Sequence, residues 1–348
     1  MKNKQLVSIT YVLIIIGFIF ISLSSEFFLL KKQSLSTIIG TFAFIIASKI
    51  NLQLLKKYSL YLFILSGFTL FLVLIPGFSQ TTLGAKRWLQ LGFFSFQPTE
   101  TFKIISIIYF STLFSKEKTR TIQSLLFSLL IPLVLILAEP NMSTAVLILS
   151  ICLSIYYLSG ANTIQFFLLC LIGIIASIGI VFLSPYRNAR LNTFLNPQND
   201  PTGISYHSKQ NILTLASGGL FGKGIGNSKQ KYSFLPQLST DSIFAIIGEE
   251  LGFFGSTAIL LLYFLLINSI LAVSKNSKNQ YHQLLCIGIA CWIAYQSIIN
   301  ISATSAIIPL TGIPLPFVSY GGSSLICLLF SIGLVYNIYK INKKNAKH

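Results

Sequence analysis

The stretch IQFFLLCLIGIIASIGIVFLS, residues 164–184, carries no charged side chain along its whole length. An α-helix rises 1.5 Å per residue, so about 20 such residues cross the roughly 30 Å hydrocarbon core of a bilayer with every backbone polar group satisfied internally. Outward from this stretch, long apolar runs recur at 7–25, 35–51, 58–76, 98–114, 122–138, 143–160, 242–273, 281–307 and 316–339. The pattern predicts an all-α, polytopic membrane protein with ten transmembrane helices in a single domain over 1–348. Composition agrees. Of 348 residues, 53% are hydrophobic and 9% charged, against roughly 25% charged in soluble domains, which excludes a soluble fold.

Lys and Arg number 25 and Asp and Glu 8, a formal +17. Basic residues collect in the cytoplasmic loops of membrane proteins, so the excess is read as topology and not as nucleic-acid binding. With the N terminus inside, the inner loops and termini hold thirteen Lys and Arg, and the short outer loops hold four: Lys31, Lys32, Lys86 and Arg87. Both termini are therefore expected in the cytoplasm. Lys2, Lys4 and the lack of a clear small-x-small cleavage site favour a retained first helix over a signal peptide. Five cysteines lie in apolar stretches without CxxC spacing, and His207, His282 and His348 are scattered. Neither a disulfide framework nor a metal cage of His and Cys is expected.

One connection is not short. Residues 185–241 are polar and rich in Gly, Pro, Asn and Ser, and they fall on the outer face. Loops above about 15 residues are uncommon unless they carry function. No internal repeat is visible, which weighs against an inverted-repeat transporter.

Eight carboxylates can be taken singly. Glu26 and Glu117 sit beside lysines in short loops and read as solvated charges, Asp200 sits in an Asn-Asp-Pro turn, and Glu139 precedes Pro140 at the end of the fifth helix. Glu100 and Lys103, three apart at the start of the fourth helix, share a face and can pair; ionisable residues inside a span are functional suspects, with a structural ion pair as the alternative. Glu249 and Glu250 lie about two turns into the run 242–273. At roughly 48 Å that run exceeds the hydrocarbon core, so its first turns are expected to project beyond the lipid, line a wet cavity or pack against the long loop. Asp241 closes that loop in Ser239-Thr240-Asp241 and opens the helix. It is expected as an N-cap, and the position also suits a general base.

Three of the four arginines, Arg87, Arg187 and Arg190, are on the outer side. Guanidinium groups match phosphate oxygens bidentately. With Lys86 and Lys223 they would suit an anionic lipid phosphate or pyrophosphate, or lipid headgroups in general. The run Ser217 to Gly226 contains five glycines but follows no strand of a βαβ unit, so it is read as close backbone approach and not as a nucleotide loop. Residues 311–317 and 319–324 place turn residues and small hydroxyls, including Ser319 and Ser323, at the start of the tenth helix, where small residues permit tight packing.

Together these motifs resemble the SEDS family (shape, elongation, division and sporulation): Gly84-Ala85-Lys86-Arg87-Trp88; Gln97-Pro98-Thr99-Glu100 with Lys103; Ser217 to Gly226; Phe234-Leu235-Pro236 with Thr240-Asp241; Gly248-Glu249-Glu250-Leu251-Gly252; and Pro314 to Ser324. The likeness runs through nearly the whole chain, in order. Residues 226–231 followed by Phe234-Leu235-Pro236 look more like the division branch, that of FtsW, than the elongation branch, that of RodA.

The resemblance implies a peptidoglycan glycosyltransferase that polymerises lipid II outside the cytoplasmic membrane, with Asp241 as the catalytic general base. It further implies a divalent cation (Mg or Mn), and partnership with a class B penicillin-binding protein, a transpeptidase, within the divisome or elongasome. Lys86, Arg87, Glu100, Lys103, Lys223, Glu249, Glu250, Ser319 and Ser323 are the expected substrate-binding residues. Three positions depart from the family's pattern: Ser239 stands where His is common, Asn141 where Pro-Asp-x-Gly-Thr has its aspartate, and Ser242 where an aromatic usually follows the catalytic aspartate. A lipid II flippase and a noncatalytic scaffold for a partner synthase are the competing readings.

Overall fold

The computed structural model describes residues 2–23, 27–82, 85–91, 94–196, 204–228 and 240–346. The expected features at Glu26, Gly84, Asp200, Phe234-Leu235-Pro236 and Ser239 lie outside the described residues. Among the described residues there are twelve α-helices: α1 (Lys2–Ser22), α2 (Phe27–Ala47), α3 (Leu52–Leu74), α4 (Pro98–Phe114), α5 (Ile122–Ala138), α6 (Met142–Leu158), α7 (Thr163–Leu183), α8 (Pro185–Leu195), α9 (Ile204–Ser217), α10 (Ile243–Lys275), α11 (Gln280–Thr304) and α12 (Gly322–Asn345). Each of the ten predicted spans coincides with a helix. Seven of these, α1, α2, α3, α7, α10, α11 and α12, are long and apolar enough to cross a membrane; α5 and α6 are apolar but shorter. The protein is a multi-pass membrane protein.

Local chemistry sets the helix boundaries. Asn51, Asn162 and Asn279 cap α3, α7 and α11, each accepting a backbone N–H two residues on, and Thr121 caps α5 through Ser124 N. The tenth span starts at Gly322, six residues later than predicted, because Pro314, Pro316 and a left-handed Phe317 (φ 65°) cannot continue a helix. Two expectations are corrected. The connection 185–241 is not structureless: it contains α8 and α9. The connection between α3 and α4 is an antiparallel sheet of β1 (Ser79–Thr82), β2 (Ala85–Leu91) and β3 (Phe94–Phe96) in the order β1-β2-β3, with a register shift at Gln80/Thr81. Its strands are too short and too interrupted to announce themselves by alternation.

The run 242–273 is not one straight rod. Gly252 (φ 69°, ψ −164°) breaks α10, and backbone bonds to the glycine run replace two of those broken there. In an unbroken helix the N–H groups of Phe253 and Phe254 would reach the carbonyls of Glu249 and Glu250. Instead they donate to Gly219 O (2.9 Å) and Leu220 O (3.2 Å), while Lys223 N and Gly224 N donate to Glu249 O (2.9 Å) and Glu250 O (3.0 Å). The glycine run after α9 is thus wedged into the helix. A Cβ on Gly222 would fall 2.2 Å from Glu250 O, and one on Gly252 would fall 2.3 Å from Gly222 N; with φ of 80° and 69°, both positions require glycine.

The buried core gathers around α4, α6, α11, α12 and the first half of α10. In α12, 67% of the spanning window is buried in the protein, against 6% in α7, so α7 presents nearly its whole circumference to lipid.

Candidate active site

Asp241 sits at the entrance to α10 and is buried. It is not the N-cap: Ser242 holds that position, and no side chain caps the helix. The capping account of Asp241 is therefore removed. What holds the residue is its own carbonyl, which accepts from Asn300 Nδ2 (3.1 Å) and Thr304 Oγ1 (3.2 Å) of α11. Its carboxylate accepts from the Thr240 hydroxyl at Oδ1 (3.0 Å). Burial pushes the carboxyl above its ordinary range; His207, the Thr240 bond, its own amide and Arg190 oppose that rise only in part. A buried carboxylate that is anchored through its backbone and lightly bonded at its oxygens remains available as a proton acceptor.

His207 of α9 completes this cluster. Its Nε2 lies 2.7 Å from Ser242 Oγ, and burial lowers its pKa, with Asp241 opposing and Arg190 reinforcing that drop.

A second network lies beneath it on the same face of α11. Trp292, Gln296, Asn300 and Thr304 recur every four residues and so line one stripe. Lys103 Nζ pairs with Glu100 Oε1 (2.8 Å) and donates to Gln296 Oε1 (3.0 Å). Trp292 Nε1 donates to the same oxygen (2.7 Å), and Gln296 Nε2 donates to Pro314 O (2.9 Å). The predicted Glu100–Lys103 pair is present, and it is buried.

The remaining expected residues fall into three places. Glu249, fully buried, accepts from Lys223 Nζ (2.7 Å) and Ser217 Oγ (3.2 Å) at Oε1 and from Ser228 Oγ at Oε2; Glu250 Oε2 accepts from Gly226 N (2.9 Å). These two carboxylates pack against the glycine run and do not line an open wet cavity. Ser319 Oγ accepts from Leu315 N (2.9 Å), fixing the turn before α12, and Ser323 Oγ accepts from Gln97 N (3.2 Å), tying α12 to the head of α4. Lys86 is in β2; its side chain is outside the described set.

Arg87 docks on the end of α5, donating from Nε to Glu139 O (3.3 Å) and from Nη2 to Pro140 O (2.5 Å), and Arg187 Nη2 reaches Leu137 O (3.4 Å). Cations thus cover the negative end of the α5 dipole. Arg190 Nη1 donates to Leu310 O (3.4 Å). The Glu139 carboxyl is buried beside Arg87 with no hydrogen-bond partner, and burial, partly offset by Arg87, pushes it up to about 8.

Among the described residues no three His, Cys, Asp or Glu side chains gather at a separation that would hold a metal ion. The described side chains thus form no protein cage for a divalent cation. Sequence reasoning singled out Asp241, Glu100 and Lys103 but missed Gln296, Asn300, Thr304 and His207. The first three did carry a signal, polar side chains at four-residue spacing within an apolar span. His207 carried none, since it stands 34 positions before Asp241, on a different helix.

The architecture and site define a polytopic helical membrane protein with a buried acid–base group where a long loop enters a helix. The chain belongs to the cell cycle protein family of FtsW, RodA and SpoVE, whose family model matches residues 4–344. It is 35% identical to the stage V sporulation protein E of Bacillus subtilis, covering 97% of each chain. It is 38% identical to a probable peptidoglycan glycosyltransferase FtsW of Coxiella burnetii, over 84% of this chain and 81% of that one. Among solved structures it is similar to a chain of one described as "Structural coordination of polymerization and crosslinking by a peptidoglycan synthase complex", with TM-score 0.81, 24% identity and 97% of both chains covered. It is also similar to the rod shape determining protein RodA of Thermus thermophilus, with TM-score 0.74, 24% identity, and 97% and 96% covered. These two likenesses establish the fold.

Proposed function

We propose that this chain is a peptidoglycan glycosyltransferase that polymerises lipid II at the outer face of the bacterial cytoplasmic membrane, in cell division. The observation that carries the reading is the state of Asp241: a buried carboxylate released from helix capping, locked through its carbonyl by Asn300 and Thr304, with its ionisation shifted upward by burial. Asp241 takes the proton of the acceptor sugar's 4-hydroxyl. The freed oxygen bonds to C1 of the donor's N-acetylmuramic acid, the bond from C1 to the pyrophosphate oxygen breaks, and undecaprenyl pyrophosphate departs. The names of the FtsW relatives support both the chemistry and the division branch.

The leaving pyrophosphate is met by the cations Lys223, Arg87 and Lys86. The buried Glu100–Lys103 pair, Glu249, Glu250, Ser319 and Ser323 shape the frame around them. The divalent cation implied by the family likeness would come as part of the substrate, carried on the pyrophosphate oxygens. The charge count over the loops supports cytoplasmic termini and an outward-facing 185–241 segment. Kinship with a synthase that coordinates polymerisation and crosslinking supports a class B penicillin-binding protein as partner, with other divisome or elongasome membrane proteins around it. The whole of 1–348 acts as one transmembrane domain.

The test is purified protein with labelled lipid II and no other synthase. Glycan chains are expected. Scrambling of lipid II across vesicles without polymer would identify a flippase, and neither activity would identify a scaffold.

A further inference from the structure

Where α10 gives way to α11, a cavity of about 410 Å³ opens between Gln53 in the first turn of α3, Ser277 and Lys278 after α10, His282 in the first turn of α11, and Asn342 in α12. It lies far from the candidate active site. Asn300, which anchors Asp241, stands eighteen residues further along α11 than His282, a rise of about 27 Å. No Asp or Glu lines the cavity, while Lys278 brings a cation to it. A second cation is close by: Lys56 Nζ stands over the ring of Tyr281, the neighbour of His282, 5.4 Å from its centroid.

Two of the lining side chains are left incomplete by the fold. His282 is 9% exposed, and its ring has an aromatic contact with Tyr281 (5.7 Å between centroids); among the described residues no group hydrogen-bonds either of its nitrogens. Ser277 is 4% exposed, and its hydroxyl has no partner. Buried polar groups are normally paired, because a buried donor or acceptor left without a partner keeps its full desolvation penalty. Two such groups share this cavity with a lysine and the positive end of the α11 dipole. That end is fixed in advance, since Asn279 caps the helix by accepting from Tyr281 N (3.0 Å). Ammonium, hydroxyl, imidazole and helix dipole together favour an anion with several acceptor oxygens. The volume falls within the range of about 300–1,000 Å³ that holds small ligands, so the anion can carry a substituent.

We propose that this cavity binds a phosphate group, with Lys278 supplying the opposing charge and Ser277 and His282 hydrogen-bonding its oxygens. Two sources carry that chemistry: a soluble phosphate, and the headgroup of an anionic phospholipid in the adjoining leaflet. The site is independent of the polymerase reading, since none of its residues belongs to the cluster around Asp241.

The test uses the full chain in phosphatidylcholine nanodiscs with isotope-labelled histidine, the His282 NMR signal being identified by its loss in His282→Gln. In one arm inorganic phosphate is added at constant ionic strength. In the other no phosphate is added, and phosphatidylglycerol replaces part of the phosphatidylcholine. A His282 signal that moves saturably is expected: movement in the first arm alone assigns soluble phosphate, and movement in the second assigns the lipid headgroup. Lys278→Gln should weaken the response about tenfold by removing a charge-assisted bond, and Ser277→Ala should weaken it several-fold. The Ser277 hydroxyl bonds nothing in the fold, so its removal leaves the protein folded and the comparison decisive. A His282 signal unmoved in both arms would overturn the proposal. So would a movement that Lys278→Gln and Ser277→Ala leave unchanged, which would reflect only the general charge of the surface.

Discussion

Glu249 and Asp241 are eight residues apart, both buried, both against the long connection between α7 and α10, and they are treated oppositely. Each oxygen of Glu249 is met by a side chain of the glycine run: Lys223 and Ser217 on one, Ser228 on the other. Asp241 has the Thr240 hydroxyl and is otherwise held by its carbonyl. A carboxylate whose oxygens are engaged by the fold is a structural clip, stabilising because its charge is paired. One held mainly through its carbonyl, with only the Thr240 hydroxyl and its own amide on its oxygens, keeps basicity for a ligand. The contrast places chemistry just before α10 and a structural clip about two turns into it.

If that division is right, variants should sort by which class they touch. The largest loss of stability is expected from Lys103→Met, which leaves Glu100 buried without its cation at a cost of about 3–5 kcal/mol; thermal unfolding in detergent should show it, and a stability equal to wild type would remove the pair from the frame. Glu249→Ala should cost less, about 2–3 kcal/mol from orphaned hydroxyls, since Lys223 is 33% exposed and can turn to water. A protease should then cleave the segment after α9 faster than in wild type. Gly222→Ala forces a left-handed alanine, about 1–2 kcal/mol, and adds a Cβ 2.2 Å from Glu250 O, so the same proteolysis assay should show cleavage at least as fast as in Glu249→Ala.

Another effect is pH-dependent. The carboxyl of Glu139, raised to about 8 in the folded protein, favours folding while protonated. Its contribution is full below the unfolded pKa of about 4.3 and is lost as pH rises through about 8. Glu139→Gln should therefore match wild type in acid and unfold at a higher temperature than wild type above pH 8. Parallel curves across that range would mean the carboxyl is not buried as described.

Much of this was legible in the chain. Ten apolar runs located ten helices, two of them, 98–114 and 122–138, with matching ends, because bilayer-length hydrophobicity leaves a helix as the only single-segment way to satisfy the backbone. The Glu100–Lys103 pair followed from i,i+3 spacing alone. What failed did so where tertiary contact overrode local pattern. Asp241 has the composition of an N-cap, but the helix begins one residue later, and α11 takes its carbonyl. The 33-residue α10 has uninterrupted apolar periodicity, yet a glycine strand from outside the helix satisfies its broken ladder at Gly252. Nor did local pattern show that Arg87 and Arg187 lie against the carbonyl end of α5, an arrangement that exists only once the fold brings residues some fifty positions apart together.

The most direct test is polymerisation by Asp241→Asn beside wild type, using purified proteins, labelled lipid II, and thermal unfolding and lipid II binding measured on the same samples. Asparagine preserves the shape and leaves the backbone anchors from Asn300 and Thr304 in place. Stability within about 1 kcal/mol of wild type and unaltered binding are therefore expected, with glycan synthesis lower by about 10² to 10⁴, the usual cost of losing a general base. A folded, lipid II-binding Asp241→Asn protein that polymerises at the wild-type rate would contradict the assignment of Asp241 as the base.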